Sequence, residues 1–362
     1  MELTPSEIPK TGKPVPNQDV HPIVSNKFLT GLIGYTCSYI PVELLSATGL
    51  RPYRLLHSEL NLSQKGEQLV RVDACPLVKA NLGFILENQK RFAAIIGSTG
   101  CDMSRRMLEV VRLTTSIPVY VFNNPRTDNF EIFNNEIDLL VKELEQFFHR
   151  RFDKGLIQKE CERWEQIRQR LRQIDARHRA NPSTISTATF HNIITNYYQG
   201  DIENIKFDVS DEMSYKPRAY LLGSPISYEA NPIIELIEQR LRICGDFNCG
   251  ISRGIYVTVS EKTIDGLKKG YYNQPMCIFK RPNKGYYEWI EKDIKETKST
   301  GIIAYVLDYC DNFDFELLKM EKKFALPILK LKSDFSFQNL SQLKVRIDAF
   351  IEVLASHRAG IV

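Results

Sequence analysis

Ala93-Ala-Ile-Ile-Gly-Ser-Thr-Gly-Cys-Asp102 in the first half of the chain has a counterpart in the second half, Gly301-Ile-Ile-Ala-Tyr-Val-Leu-Asp-Tyr-Cys-Asp311. Each segment begins as an apolar run typical of a buried strand and ends in a Cys-Asp pair that opens a helical pattern. The cysteine is followed 17 residues later by Pro118 in the first half and by Pro327 in the second, and a further apolar run begins after each proline. The equal spacing predicts two related strand–helix–strand units.

A second match lies upstream of each of these segments. A strand-like run ends in glycine, serine and tyrosine at the same spacing in both halves, and a proline near a helix start follows, in Gly34-x-x-x-Ser38-Tyr39 with Pro41 and in Gly223-x-x-x-Ser227-Tyr228 with Pro232. Two short matches can arise by coincidence. We nevertheless take duplication as the working model, because the matched elements occur in the same order.

Strand-like and helix-like runs alternate through both halves, and this alternation predicts parallel α/β layers. The expected fold is α/β, with two Rossmann-like, flavodoxin-like parallel-sheet units joined by a helical arm. The predicted divisions are an N-terminal extension (residues 1–27), a first unit (28–128), a helical arm or linker (129–212) and a second unit (213–362). The predicted strands cover residues 28–35, 91–97, 119–122, 219–223, 302–307 and 328–331, and the predicted helices 42–47, 104–114, 232–241 and 315–324.

The region between the units, residues 131–180, is charged and helix-forming, with arginines interleaved with acidic residues. A basic helix can bind nucleic acid. The mixture of signs and the lack of an aromatic stacking platform favour a solvated arm carrying ion pairs one helical turn apart. The net charge of +4 on 362 residues is also too small for a nucleic-acid binder, so none is expected as a partner.

Composition places the chain among ordinary globular proteins, with 43% hydrophobic and 25% charged residues. No apolar run approaches the roughly 20 residues that cross a bilayer, and the first 27 residues contain no apolar core of a secretion signal. We therefore expect a cytoplasmic protein without a membrane partner. Its eight cysteines are then unlike a disulfide framework, because a reducing compartment keeps thiols free.

Six of these cysteines fall on predicted loops, three in each unit. Four of them follow predicted strands, Cys249 after a short apolar run at 241–243 that is expected to end a strand, and loops after parallel strands meet at one edge of the sheet. Cys75 and Cys277 are assigned to loops because each lies close to a proline. The set consists of Cys37, Cys75, Cys101, Cys249, Cys277 and Cys310. Of the other two, Cys161 lies within the charged arm and is interpreted as an ordinary side chain, whereas Cys244 lies five residues before Cys249 and could replace it.

Clustered thiolates suit iron–sulfur centres or zinc. Structural zinc favours closely paired cysteines such as Cys-x-x-Cys, and this sequence has none. Spacing alone leaves two interpretations, an iron–sulfur centre or buried free thiols that pack as small apolar residues. Glu43, two residues after Pro41, is a candidate catalytic group beside Cys37, the alternative being an acidic residue that stabilises the first turn of a helix. None of the six histidines is assigned a role.

Five ordered segments resemble the superfamily of 2-hydroxyacyl-CoA dehydratases, benzoyl-CoA reductases and double-cubane-cluster proteins. The likeness spans about residues 28–355 and rests on the segments Gly34–Pro52, Cys75–Phe84, Gly100–Arg106, Cys249–Arg253 and Tyr309–Asp311, with Pro327, Asp334 and Gln342-x-x-x-Arg346-Ile-x-Ala-Phe350 downstream. Members have two Rossmann-like units with the cluster in the cleft between them.

The resemblance implies an iron–sulfur cofactor held by the six loop cysteines, as a 4Fe-4S cluster or as a double-cubane 8Fe-9S cluster. Dehydratase-type subunits use three cysteines, whereas double-cubane proteins use six. Six loop cysteines and the segment Cys75-Pro-Leu-Val-Lys79 are more similar to the double-cubane proteins. Met103-Ser-Arg-Arg106 and the immediate Cys249-Gly250 pair depart from that pattern, so the subfamily is left open.

The implied activity is one-electron chemistry at low potential. An ATP-dependent activator with its own iron–sulfur cluster supplies the electron, and Arg105 and Arg106 are candidates for steering it. The product is then a reduced small molecule or, in an (R)-2-hydroxyacyl-CoA dehydratase subunit, a ketyl radical that loses its β-hydroxyl group. A homodimer or a heterodimer with a related subunit is expected. The rival function is a non-catalytic electron-transfer or scaffold subunit.

Overall fold

The computed structural model describes residues 31–181, 185–201, 216–335 and 340–358. The predicted N-terminal extension, residues 1–27, therefore lies outside the described residues. In chain order the elements are β1 (Leu32–Tyr35), α1 (Val42–Ala47), β2 (Arg51–Arg54), α2 (Leu60–Glu67), α3 (Pro76–Glu87), β3 (Phe92–Ser98), α4 (Asp102–Thr114), β4 (Val119–Phe122), α5 (Phe130–Phe148), α6 (Lys154–Ala180), α7 (Thr187–Tyr198), β5 (Arg218–Gly223), α8 (Asn231–Glu238), β6 (Arg242–Asp246), α9 (Ile264–Tyr272), α10 (Lys284–Glu296), β7 (Gly301–Leu307), α11 (Asp311–Lys323), β8 (Ile328–Ser333) and α12 (Leu340–Arg358).

The strands form two four-stranded sheets, both entirely parallel. The strand order is β2-β1-β3-β4 in the first sheet and β6-β5-β7-β8 in the second. Each sheet thus repeats the same topology, with its first strand beside its third. The predicted α/β fold with two Rossmann-like units is confirmed.

The central strands β3 and β7 show why the two Cys-Asp segments are equivalent. Cys101 and Cys310 each stand three residues beyond the last residue of their strand and directly before a 13-residue helix, α4 or α11. β7 is buried throughout and β3 almost throughout, as expected for strands covered on both faces by helices. The two cysteines consequently occupy corresponding positions at the carboxyl edges of the two sheets.

Two edge strands of the sheets were not fully predicted. β2, with the sequence Arg-Pro-Tyr-Arg, was missed because proline and flanking charges hide a four-residue strand. For β6 only the apolar beginning was recognised, and the strand continues to Asp246. Proline fits β2 because the strand pairs on one side only, with β1.

The long helix α6 corrects the interpretation of the charged arm. Instead of a solvated helix, α6 buries a continuous face that includes Trp164, Arg168 and Asp175. It packs against α1 of the first unit and against β6 of the second. Its buried charges are paired: Arg168 with Glu165, and Arg179 with Asp175 and Asp293. The helix is therefore a brace shared by the two units.

The loops that follow β1 and β5 cross reciprocally between the units. Ser38, after β1, accepts a 2.6 Å hydrogen bond from Arg253 of the second unit. Ser227, after β5, donates a 2.6 Å hydrogen bond to Ser58 of the first unit, and the backbone N–H of Tyr228 donates to the carbonyl of Leu56. The matched Ser-Tyr pairs of the sequence thus form the contact between the units.

Within the described residues, no helix combines the length and apolar character that a bilayer span requires.

Helices α2 and α3 cross closely enough to touch through backbone atoms. A Cβ atom added to Gly83 would lie 1.9 Å from the carbonyl oxygen of Leu62, and one added to Gly66 would lie 1.9 Å from that of Lys79. Both distances are far inside van der Waals contact, so glycine is required at each crossing point. The crossing fixes α3, which begins directly after Cys75.

Gly83→Ala should therefore separate α2 from α3 and lower the free energy of unfolding by about 1–3 kcal/mol, the usual cost of overpacking a tight contact. Urea denaturation followed by circular dichroism measures the change. Gly155→Ala is the matched control, because an added Cβ atom there lies 3.4 Å from the nearest atom, a side-chain oxygen of Asp153. Equal stability of Gly83→Ala and Gly155→Ala would contradict the close crossing.

Candidate functional site

A cavity of about 160 Å³ lies where the carboxyl edges of the two sheets meet. Its lining is mostly apolar and includes Leu56 and Val78 from the first unit and Phe247 and Leu307 from the second. All six loop cysteines singled out from the sequence line this cavity: Cys37, Cys75, Cys101, Cys249, Cys277 and Cys310. All of them are free thiols. The fold thus brings together side chains that are up to 273 residues apart in the sequence.

Three of the six thiols stand at the beginnings of helices. Cys75, Cys101 and Cys310 directly precede α3, α4 and α11 as their N-cap residues. A helix N-terminus presents unpaired N–H groups and a partial positive charge, and both favour a thiolate. Of the three, Cys101 is exposed, so the cavity reaches solvent beside the start of α4.

Burial opposes ionisation of these thiols. It raises the pKa of Cys75 to about 12, with the neighbouring thiols Cys310 and Cys101 adding to the rise, although backbone N–H groups of α3 act in the opposite direction. Burial likewise raises the pKa of Cys310 to about 11. These two cysteines are therefore protonated at neutral pH unless a positively charged group binds them.

The other three thiols lie on loops. Cys37 follows β1, Cys249 follows β6, and Cys277 lies between α9 and α10. Cys249 is fixed by its neighbour Asn248, whose side-chain oxygen accepts hydrogen bonds from the N–H groups of Ile226 and Gly250 at 3.0 and 2.8 Å. A Cβ atom on Gly250 would lie 2.1 Å from the carbonyl oxygen of Ile226, which explains the glycine directly after the cysteine.

Two buried arginines line the cavity beside these loop thiols. Arg54, at the end of β2, is 1% exposed, and Arg253 is 3% exposed. Arg253 donates to the hydroxyl of Ser38 at 2.6 Å and to the carbonyl of Pro275 at 3.0 Å. Arg54 donates to the carbonyl of Cys249 and lies 4.5 Å over the ring of Tyr198. Both arginines therefore connect one unit to the other, and Arg54 also contacts α7.

Lys280 adds a third cation next to the cavity. Its side chain is buried, donates to the carbonyl of Pro125 at 2.6 Å and lies 5.0 Å from the centre of the Tyr39 ring. Burial lowers the pKa of Lys280 to about 8, while the nearby thiols of Cys37 and Cys277 act to raise it. The amine is consequently mostly protonated at neutral pH.

Sequence reasoning missed these cations as functional groups. Arg253 was visible as the last residue of the segment Cys249–Arg253, but nothing in the sequence indicated that its guanidinium group is buried. Arg54 and Lys280 carry no motif at all. Only the fold places their charges beside the thiols.

The charges around the cavity indicate what it is built to hold. Among the described residues, no carboxylate lies within ion-pairing distance of Arg54, Arg253 or Lys280, and the buried Nε of Arg54 has no hydrogen-bond partner. A buried charge is costly unless an opposite charge compensates it. The cavity therefore suits an anionic occupant.

The arrangement of the six thiols indicates which anionic group fits the cavity. Within the part of the chain that the structure describes, no three cysteine, histidine or acidic side chains are close enough to bind a single metal ion. A thiolate-ligated cluster of several irons is larger than one ion and is anionic overall. The donor chemistry and the surrounding cations thus fit the iron–sulfur group that the sequence resemblance implies.

The two remaining cysteines lie away from this cavity. Cys161 is completely buried in α6, and Cys244 is completely buried in β6, where its thiol donates to the carbonyl of Arg242 at 3.2 Å. Burial raises the pKa of Cys161 to about 12 and that of Cys244 to about 11. Of the Cys244–Cys249 pair, only Cys249 lines the cavity.

Glu43 also lies outside the cavity lining. Its carboxylate is fully buried, accepts a 2.6 Å ion-pair contact from Arg168 of α6 and a 2.7 Å hydrogen bond from the hydroxyl of Tyr271. These contacts join α1, α6 and α9. They give Glu43 a structural function, and the catalytic role expected from the sequence stays a prediction without support from these contacts.

Fold and site together define a duplicated parallel α/β protein with a thiol-lined cavity between its units. The chain belongs to the family described as 2-hydroxyglutaryl-CoA dehydratase, D-component, whose model matches residues 37–354. The matched range contains all six cavity cysteines.

Two relatives extend this likeness over almost the whole chain. A protein named "Putative dehydratase subunit YjiM", from Escherichia coli K12, is 21% identical over 350 residues, which cover 89% of this chain and 91% of the relative. The "(R)-phenyllactyl-CoA dehydratase beta subunit" of Clostridium sporogenes is 21% identical over 342 residues, with the same coverage of both chains. Both relatives are named as subunits of dehydratases.

Glu43→Gln should lower the free energy of unfolding by about 3 kcal/mol, because it removes the nearer of the two carboxylates that compensate the buried Arg168, Glu43 at 2.6 Å and Glu165 at 3.1 Å. Urea denaturation measures the loss. Glu162→Gln is the control, since Glu162 is exposed and accepts a hydrogen bond from Gln158 on the surface of α6, and its effect should stay within about 0.5 kcal/mol. Unchanged stability of Glu43→Gln combined with lost activity would instead support a catalytic role.

Proposed function

We propose that this protein binds an iron–sulfur cluster in the thiol-lined cavity and carries out low-potential, one-electron reductive chemistry in the cytoplasm. The proposed ligands are Cys37, Cys75, Cys101, Cys249, Cys277 and Cys310. The observation that carries the proposal is the convergence of six free thiols and two buried arginines on one cavity, with the buried Lys280 next to it and no carboxylate of the described residues within ion-pairing distance of these cations. Of the cofactors that the resemblance allows, six lining cysteines favour the double-cubane 8Fe-9S cluster over a single 4Fe-4S cluster.

The bound cluster would supply an electron of low potential to a small unsaturated or activated substrate. The chain's own residues would prepare the site for this chemistry. Apolar side chains such as Leu55, Ile278 and Phe313 line the cavity and limit water around the cluster. With the cluster bound, Arg54 and Arg253 would compensate the charge of the thiolates, and the N-termini of α3, α4 and α11 would stabilise the three thiolates that precede them.

An electron must enter this shielded site from another protein, and we propose an ATP-dependent activator with its own iron–sulfur cluster. The exposed Cys101 marks where the cavity comes nearest to solvent. Arg105 and Arg106 lie exposed near the start of α4, and Glu109, about one turn further along the helix, pairs with both. This pairing reduces their net charge, so a steering role for the two arginines depends on a partner that displaces Glu109.

A second candidate function is that of an (R)-2-hydroxyacyl-CoA dehydratase subunit, which would act with a related subunit. The family description and the names of the two relatives favour it. Anaerobic assays with activator and ATP separate the candidates: dehydration of an acyl-CoA only after a second subunit is added supports the dehydratase, whereas reduction of small molecules by a homodimer supports the double-cubane reductase. Reduction and reoxidation without turnover of either substrate class would indicate an electron-transfer subunit.

Protein purified or reconstituted without oxygen should be brown, contain about eight irons per chain and lose its visible absorbance in air. Iron and sulfide analysis with an optical spectrum makes the measurement. About four irons per chain would replace the double-cubane assignment with a single 4Fe-4S cluster. Less than about one iron after reconstitution would reject the proposed function.

Cys101→Ala and Cys310→Ala should each remove most of the iron, because the two thiols occupy corresponding positions on the two sides of the cavity. Cys161→Ala and Cys244→Ala are the matched controls and should keep the wild-type iron content, since both residues are buried away from the cavity. Thermal unfolding of each apoprotein distinguishes ligand loss from misfolding. Equal iron in Cys101→Ala and wild type would contradict the ligand assignment.

A further inference from the structure

The cavity has two electrostatically different halves. The three cations lie beside three of the thiols. Arg253 donates to Ser38, the neighbour of Cys37, and Arg54 donates to the carbonyl of Cys249. Tyr39, whose hydroxyl accepts a 3.2 Å hydrogen bond from the backbone N–H of Cys277, has Arg253 and Lys280 at 5.1 and 5.0 Å from its ring centre. Each cation is within electrostatic range of at least two of Cys37, Cys249 and Cys277. We refer to Cys37, Cys249 and Cys277 as the cationic half. The thiols that precede helices, Cys75, Cys101 and Cys310, form the helix half: Cys75 is within electrostatic range of Cys310 and Cys101, and Cys101 also lies within range of Cys277 in the other half.

The two halves compensate negative charge by different means. A helix N-terminus contributes only about half an elementary charge. The guanidinium groups carry full charges and lie in a buried, apolar environment, where Coulomb interactions are stronger than in water. Added negative charge is therefore stabilised more strongly in the cationic half.

Arg253 is the best placed of the three cations. It acts on all three thiols of the cationic half, whereas Arg54 and Lys280 each act on two. Its guanidinium group is fixed by Ser38, by the carbonyl of Pro275 and by the Tyr39 ring, whose centre lies 5.1 Å away. Ser38 and Tyr39 belong to the first unit and Pro275 to the second, so the position of this charge depends on both units.

We propose that Arg253, supported by Arg54 and Lys280, is a positioning residue that raises the reduction potential of the redox group in this cavity by stabilising added negative charge in the cationic half. The inference rests on the proposed function. The step is the transfer of one electron from an external donor, the ATP-dependent iron–sulfur activator, which is thereby oxidised by one electron. No covalent bond is formed or broken, and the guanidinium group keeps its proton.

The test is an anaerobic redox titration of the reconstituted full-length protein, followed by electron paramagnetic resonance and with iron content determined on the same samples. Arg253→Gln should make reduction at least tenfold less favourable, which for a one-electron couple is a shift of about 59 mV to more negative potential. Arg253→Lys keeps the charge and should retain most of the wild-type potential. Lys280→Met should shift the potential in the same direction as Arg253→Gln.

Arg172→Gln is the matched control. Arg172 is partly buried, pairs with Glu165 at 2.5 Å and lies outside the cavity lining, so its loss should leave the potential unchanged. If Arg253→Gln does not retain iron, Arg253→Lys and Lys280→Met are compared instead. A wild-type potential in Arg253→Lys together with a negative shift in Lys280→Met supports the inference, and an unshifted potential in Lys280→Met overturns it.

The outcomes separate this inference from the proposed function. Iron-free wild-type protein would reject the proposed function and the inference together. Iron-loaded variants with unshifted potentials, or a shift in Arg172→Gln equal to that in Arg253→Gln, would overturn the inference and leave the proposed function standing.

Discussion

The buried charge of Arg253 is the constraint around which the centre of the molecule is arranged. Its guanidinium group lies between the two units, hydrogen-bonded to Ser38 on one side and to Pro275 on the other. Arg54 mirrors this arrangement from β2, reaching the carbonyl of Cys249 in the second unit. Because a buried cation without a carboxylate partner is costly, these contacts are best explained by the anionic group that the cavity is proposed to hold.

Duplication gives the site a simple origin. Each sheet has a Cys-Asp loop at its carboxyl edge. Because the two carboxyl edges face each other, Cys101 and Cys310 line the same cavity. The duplication is not symmetric in charge, since the cations lie beside Cys37, Cys249 and Cys277. A repeated fold has thereby acquired two halves with different electrostatic properties.

The helix α6 shows how an apparent surface element can be part of the core. Its arginines read as solvated charges because acidic residues are interleaved with them. In the structure Arg168 is buried against Glu43, and Arg179 bridges Asp175 and Asp293. A buried ion pair is stable only when both charged partners are correctly positioned, so these pairs help to fix how the two units are placed relative to each other. The charged segment of the sequence therefore corresponds to an interface and not to a solvent-exposed surface.

The sequence by itself determined the two α/β units and the six cavity cysteines. Apolar runs and turn residues are local signals, and the spacing from cysteine to proline is preserved in both halves. Only the tertiary structure decided which polar groups surround the thiols. The burial of Arg54, Lys280 and Glu43 depends on packing between segments far apart in the chain. It cannot be predicted from the sequence, because a charged residue has the same local sequence pattern on the surface as in the interior. The strand β2 was hidden for the same reason, since its pairing with β1 stabilises four residues that have little strand propensity of their own.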